Sequence, residues 1–179
     1  FSLGEITAIV LSGAVKWQHA IVLLKSILDE FQILEPNSNY RTLLVVGITN
    51  KKLDEICEQT NVSISNYIFP KGRIMIGSEQ NIALAKKKCD SFKPPICNYI
   101  SMTYPLHSYF AEHIKIKMES AFKKIAITPP NCHVYSNICC AELKTRDALQ
   151  NALLNLCDSP VKWEYAFDSI PHRDIRFIA

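Results

Sequence analysis

The chain has 179 residues, 20 Lys and Arg against 17 Asp and Glu, a net charge of +3, and 48% hydrophobic with 21% charged residues. This composition excludes disordered, collagenous and low-complexity classes and provides enough chain for one domain with a real core, or one domain with an inserted unit. The charge is small and scattered, and no RNP-like aromatic motif or Cys/His finger spacing occurs, so nucleic acid is not an expected partner.

The longest uncharged run, Pro94 to Ala111, is interrupted by Pro94, Pro95 and Pro105, so no segment reads as a membrane span. The seven cysteines are an odd number without regular spacing, which reads as reduced thiols in an intracellular compartment. The first residue is Phe1, directly before a motif, so the chain reads as a fragment of a longer protein.

In chain order, Ile6 to Phe31 places Trp17, Ala20, Ile21, Leu24, Leu28 and Phe31 at helical spacing, and the cluster Pro36, Asn37, Ser38 and Asn39 ends it. Leu43 to Ile48 reads as a strand. A helix opened by Asn50 follows, with Leu53, Ile56 and Cys57 on one face, and then an extended stretch from Val62 to Phe69. Pro70-Lys71-Gly72 turns into Arg73 to Gly77, Ser78 caps a helix carrying Ile82, Ala85 and Cys89, and Ile96 to Met102 is a last strand. The order βαββαβ is that of a ferredoxin-like unit.

Ala111 to Ile125 reads as a helix with Ile114, Met118, Phe122 and Ile125 on one stripe and Lys115, Lys117, Lys123 and Lys124 around it; Pro129 and Pro130 stop it. Cys132 to Ile138 is strand-like, Arg146 to Leu156 helical, and Ser159-Pro160 opens a final helix with Val161, Trp163, Phe167 and Ile170. A self-contained α+β unit, about 41 to 102, thus interrupts a framework whose helices and isolated strands need partner strands beyond this chain.

Phe1-Ser2-Leu3-Gly4-Glu5 matches the second half of a G-x-S-x-G elbow, in which a strand turns into a helix and lifts the serine hydroxyl to the helix N-terminus. Ser-x-Gly alone is common, so the elbow does not identify a nucleophile by itself. Of the five histidines, His107 sits in Tyr104-Pro105-Leu106-His107-Ser108, a proline-shaped turn between a strand and a helix where a framework presents side chains; a capping or surface role is its alternative. His133 reads as strand packing, and His19, His113 and His172 as solvated. Cys132-His133 and Cys139-Cys140 lack metal-ligand spacing, so no metal is expected. The lysine runs read as solvated helix faces or as docking for an acidic partner.

FSLGEITAIVLSGAV, NYIFP followed by R-I-M-I-G, LHS, HVYSNI and SPVKW stand in the same order and at similar spacing as in the malonyl-CoA:acyl carrier protein transacylases, which this chain resembles over essentially its whole length, the mitochondrial type above all. The resemblance implies an α/β fold: an α/β-hydrolase-like large subdomain, incomplete here and formed by 1–40 and 103–179, with an inserted ferredoxin-like subdomain at 41–102. It implies that the first third of the family's sequence, an oxyanion-hole Gln within it, and a Gly-Pro-Gly segment near the end are absent.

It further implies Ser2 as nucleophile, His107 as its base, the Leu3 backbone N–H as oxyanion donor, and the main-chain carbonyl of Leu156 as the group orienting the histidine. Asn66 matches an Asn near the acyl pocket, with a plain strand or turn role equally open. The implied function is transfer of malonyl from coenzyme A to the phosphopantetheine thiol of acyl carrier protein through an acyl-serine, in fatty acid biosynthesis, by a monomer in the mitochondrial matrix. No metal or redox cofactor is implied.

The chain departs from the family pattern where an Arg pairs with the malonyl carboxylate: Ile27 stands there. Arg41-Thr42 replaces a Gly-Met pair, and Tyr104-Pro105-Leu106 alters the pocket wall. Either Arg41 supplies the missing charge, or the pocket takes an uncharged acyl group or none. The alternative reading is therefore a weakened or altered-specificity relative that binds carrier protein or coenzyme A without malonyl transfer. A serine hydrolase is a third reading, which needs an acid to orient His107; Asp90, the nearest upstream acid, lies in the insertion.

Overall fold

The computed structural model describes residues 1–34, 39–101 and 105–170, without the side chains of 31–34. The side chain of Phe31, residues 36–38 of the turn cluster, Met102, Tyr104 and His172 lie outside the described residues.

The apolar run after Ser2 is not one helix. It forms α1 (Leu3–Leu11) and α2 (Trp17–Leu34), separated at Gly13. Gly13 has φ +78°, and a Cβ there would stand 2.5 Å from Asn131 Nδ2, so only glycine fits the break. In α2 the buried face is Ala20, Leu23 and Ile27, while Trp17, Ile21 and Leu28 from the expected stripe are exposed. Leu23 rather than Ile21 completes the i, i+3, i+7 set, because that is the row that meets α5 (Glu112–Phe122).

The middle of the chain forms β1 (Tyr40–Val46), α3 (Asn50–Thr60), β2 (Ser63–Phe69), β3 (Gly72–Ser78), α4 (Glu79–Asp90) and β4 (Ile96–Ile100). The strands make one antiparallel sheet in the order β2-β3-β1-β4, with Leu43 opposite Met75 and Tyr99. Ser78 caps α4, accepting from the Asn81 amide at 3.3 Å. Leu43, Val45 and Met75 from the sheet and Leu53, Ile56, Ile82, Ala85 and Cys89 from the two helices form one closed apolar cluster. The elements expected here from periodicity are thus present in the expected order.

A second cluster lies outside it. Ile6 and Ile9 of α1, Leu23 and Ile27 of α2, Ile114, Met118 and Phe122 of α5, and Leu149 and Leu153 of α6 (Arg146–Leu154) pack together with Val134, Leu156 and Val161. The α5 stripe is buried as its spacing predicts. Cys132 to Ile138 is not a strand: it makes one isolated bridge, Tyr135 to Glu142, because its amides and carbonyls serve turns and side chains instead of a neighbouring strand. The final helix, α7, is short (Trp163–Asp168), since Val161 ahead of it pairs in parallel with Asn66 of β2.

Arg73 joins the two clusters. Its side chain is only 2% exposed, and it donates from Nε to Asn50 Oδ1 (2.9 Å) and from Nη1 to the carbonyls of Phe69 (2.6 Å) and Gly72 (2.8 Å). Nη1 also lies 2.8 Å from Glu164 Oε2 in α7, and the guanidinium stacks over Tyr67. Removing it strands the largely buried Glu164 carboxylate and three acceptors. Arg73→Ala is therefore expected to lower unfolding free energy by on the order of 3 kcal/mol in urea denaturation, with part of the loss recovered in Arg73→Ala/Glu164→Gln.

Candidate active site

Ser2 occupies the N-cap position of α1, yet its side chain makes no capping bond. Its backbone has φ 58° and ψ −116°, a conformation that costs a non-glycine residue about 1–3 kcal/mol. That turn sends Oγ away from the helix amides and to His107, whose Nε2 lies 2.9 Å away across 105 residues of sequence. The amides of Gly4 and Glu5 bond back to the carbonyls of Phe1 and Ser2, which closes the elbow on itself.

His107 is 3% exposed, with φ 60°. Two successive carbonyls hold it: its backbone N–H donates to Cys157 O (2.6 Å) and its Nδ1 lies 2.8 Å from Leu156 O. A carbonyl only accepts, so Nδ1 carries the proton and Nε2 is left as the acceptor for the Ser2 hydroxyl. Burial pushes the imidazole pKa down to about 4, because the cation is poorly solvated there; the Leu156 carbonyl opposes the shift in part. The ring is neutral at physiological pH, the form in which Nε2 can take a proton.

The elbow is fixed from behind by Glu5, which is 3% exposed. Its carboxylate accepts from Ser136 Oγ (2.5 Å) and from Asn137 N and Nδ2 (3.1 Å each). The Asn137 carbonyl in turn accepts from Lys162 N (2.8 Å), and the neighbouring Val161 exchanges bonds with β2: Val161 N to Ser65 O (2.9 Å) and Tyr67 N to Val161 O (2.8 Å). Sequence reasoning assigned no role to Glu5, Arg73 or Glu164. The available signal was an acid and an arginine set within otherwise apolar stretches.

Ser2, Leu3, His107 and Leu156 come together at one cavity of about 300 Å³, whose walls are Ile6 from α1, Leu24, Ile27 and Leu28 from α2, and Leu106 and Cys157. Leu3 is the first residue of α1, so its amide belongs to the free N–H groups at the helix start. Asn66 and Arg41 are not part of that lining. Asn66 is 1% exposed, accepts from Ser65 Oγ (2.8 Å) and pairs with Val161, which places it in the seam between sheet and α7. Arg41 is exposed near the start of β1, on the same face as the buried Leu43 and Val45 but beyond their cover, and pairs with Glu79 at the start of α4 (Nη2 to Oε1, 3.1 Å).

The other histidines are apart from this site. His133 is exposed rather than packed and pairs with Glu142 (2.5 Å). His19 Nδ1 accepts from Ala126 N (3.4 Å), and His113 is half-buried. Asp90 pairs with Lys86 and does not orient His107, whose Nδ1 is taken by Leu156. Among the described residues no group of three or more His, Cys, Asp or Glu is placed to hold a metal ion.

No family model matches the chain. It is 24% identical to the human mitochondrial malonyl-CoA-acyl carrier protein transacylase over 97% of this chain and 47% of that protein, and 21% identical to the Haemophilus influenzae malonyl CoA-acyl carrier protein transacylase over 99% and 58%. Among solved structures, the malonyl CoA-acyl carrier protein transacylase of Coxiella burnetii superimposes with a TM-score of 0.84 (21% identity, 93% of this chain, 54% of that one). The acyl-carrier-protein S-malonyltransferase of Burkholderia pseudomallei gives 0.86 (21% identity, 94% and 56%). A malonyl-transacylase in complex with a type II polyketide synthase acyl-carrier protein gives 0.87 (21% identity, 94% and 56%). The chain spans about half the length of the curated relatives it matches.

Burial depresses the His107 pKa in the folded state, so as pH falls the unfolded chain protonates first and stability drains between about 6.5 and 4. A nitrogen-detected NMR titration is expected to show the His107 ring neutral, with the proton on Nδ1, down to about pH 5 and titrating near 4. In sequence over nearly its whole length, and in fold, the chain is similar to the malonyl-CoA:acyl carrier protein transacylases.

Proposed function

We propose that this chain carries the nucleophile and the base of an acyltransferase that loads acyl carrier protein in fatty acid biosynthesis, through an acyl-serine at Ser2. The observation that supports this reading most is the Ser2 Oγ to His107 Nε2 contact at 2.9 Å, with Nδ1 held on the Leu156 carbonyl. Malonyl is the acyl group in the names of the relatives.

In the first step His107 Nε2 takes the Ser2 hydroxyl proton as Oγ attacks the thioester carbonyl. The backbone N–H of Leu3, at the positive end of α1, meets the developing oxyanion. The C–S bond then breaks, and the coenzyme A sulfur leaves with the proton returned by His107. In the second step the phosphopantetheine thiol gives its proton to Nε2 and attacks the acyl-serine carbonyl, and the Ser2 Oγ–C bond breaks with the proton going back to Oγ. Both steps are proton transfers and displacements, which call for no metal or redox cofactor. A hydrolase would need an acid on His107 Nδ1, and the Leu156 carbonyl occupies that place.

Residues 41–102 we read as a ferredoxin-like insertion, and 1–40 with 103–179 as parts of an α/β-hydrolase-like large subdomain. Strand order β2-β3-β1-β4 and the two separate apolar clusters support that division. Asn66 then acts by joining β2 to the segment that carries Leu156, rather than by touching the acyl group. We place the protein in the mitochondrial matrix, since relatives from human, fly and mouse are named mitochondrial, and read it as a monomer.

A second reading, a relative that has lost or altered malonyl transfer, is favoured by one observation: the cavity beside Ser2 is walled by Ile27 and its apolar neighbours, with Arg41 held elsewhere on Glu79. Incubating the full-length protein with coenzyme A thioesters and measuring intact mass is expected to give an acyl adduct that Ser2→Ala abolishes. His107→Ala should slow adduct formation by about 10²–10⁴-fold. An adduct that persists in Ser2→Ala would remove the assignment.

A further inference from the structure

Apart from Ser2, His107 and Cys157, the side chains around the Ser2–His107 pair are all hydrocarbon. Leu24, Ile27 and Leu28 of α2, Ile6 of α1, Leu106 and Leu156 line, with Ser2 and His107, one half-open space of about 300 Å³. Cys157 adds no charge, since burial pushes its thiol up to about 12. Among the described residues no Lys, Arg, Asp or Glu lines the cavity.

The charges nearest in sequence are engaged elsewhere. Lys25 and Asp29 of α2 pair with each other at 2.7 Å with both side chains exposed, on the helix face turned away from Ile27. Arg41, the cation that could have reached in from the sheet, is held by Glu79 at the surface. A carboxylate brought into this cavity would give up its water without gaining a partner. A methylene brought in would gain about fourfold in binding for each group buried.

We infer that the cavity beside Ser2 selects an uncharged aliphatic acyl group, of short to medium chain length, and discriminates against a dicarboxylic acyl group. This half-open space of about 300 Å³, with Leu3 and Leu28 exposed to solvent, leaves room for a linear chain of several carbons. The inference rests on the acyl-serine reading of Ser2 and adds the class of acyl group that reading leaves open.

The test compares single-turnover acylation of the full-length protein by hexanoyl-CoA, butyryl-CoA and malonyl-CoA, followed by intact mass with Ser2→Ala as control. Hexanoyl and butyryl adducts are expected to form faster than malonyl by on the order of a hundredfold. Ile27→Arg, which places a guanidinium in the wall, should narrow or reverse that ratio. Leu24→Phe, which keeps the wall apolar and fills it, should slow hexanoyl more than butyryl, and serves where the arginine variant fails to fold. Malonyl adduct forming as fast as hexanoyl in the unaltered protein overturns the inference and leaves the acyl-serine reading intact. No adduct on Ser2 with any of the three overturns the acyl-serine reading itself.

Discussion

The grip of two carbonyls on His107 is the constraint to which the rest of this structure is fitted. Leu156 O fixes the ring tautomer and Cys157 O fixes the backbone behind it, in a left-handed conformation that an unconstrained histidine rarely adopts. A neutral buried imidazole with its acceptor nitrogen aimed at Ser2 exists only while residues 156 and 157 stay in register. The elements around them act as supports for that short segment.

Three ties hold the segment, and each links parts distant in sequence. Glu5 bonds α1 to Asn137, and Asn137 to Lys162; Val161 bonds to Ser65 and Tyr67; Arg73 meets Glu164. The sheet unit, none of whose described residues lines the cavity at Ser2 and His107, is therefore coupled to their geometry through α7. Such buried polar contacts are stabilising only as a complete set, because losing one partner leaves a desolvated group behind. This explains how the sheet can matter to a site built by helices and turns.

The cavity shows the reverse economy: polar groups are concentrated at the Ser2–His107 end and excluded from the walls. Ile27 is the hinge of that distinction. In α2 it belongs to the row that packs inward with Ala20 and Leu23, so it serves the core and the cavity with the same side chain. A residue carrying both duties sets the chemical character of the site through packing alone.

The sequence determined the secondary elements of the sheet unit, the α5 stripe and the Ser78 cap, because those depend on spacing and local capping that neighbours in the chain supply. Ordered motifs pointed to Ser2, His107 and Leu156, and these residues do meet. Tertiary structure alone decided the break at Gly13, which answers to Asn131 more than a hundred residues away, and the face of α2 that turns inward, which answers to α5. It also decided that Cys132 to Ile138 forms turns around Glu5, that Arg73 is a buried clasp and that Arg41 is a surface partner of Glu79. Two arginines in two neighbouring strands have the same local chemistry; only the packing of α4 and α7 against the sheet gives one an exposed acid and the other a largely buried one.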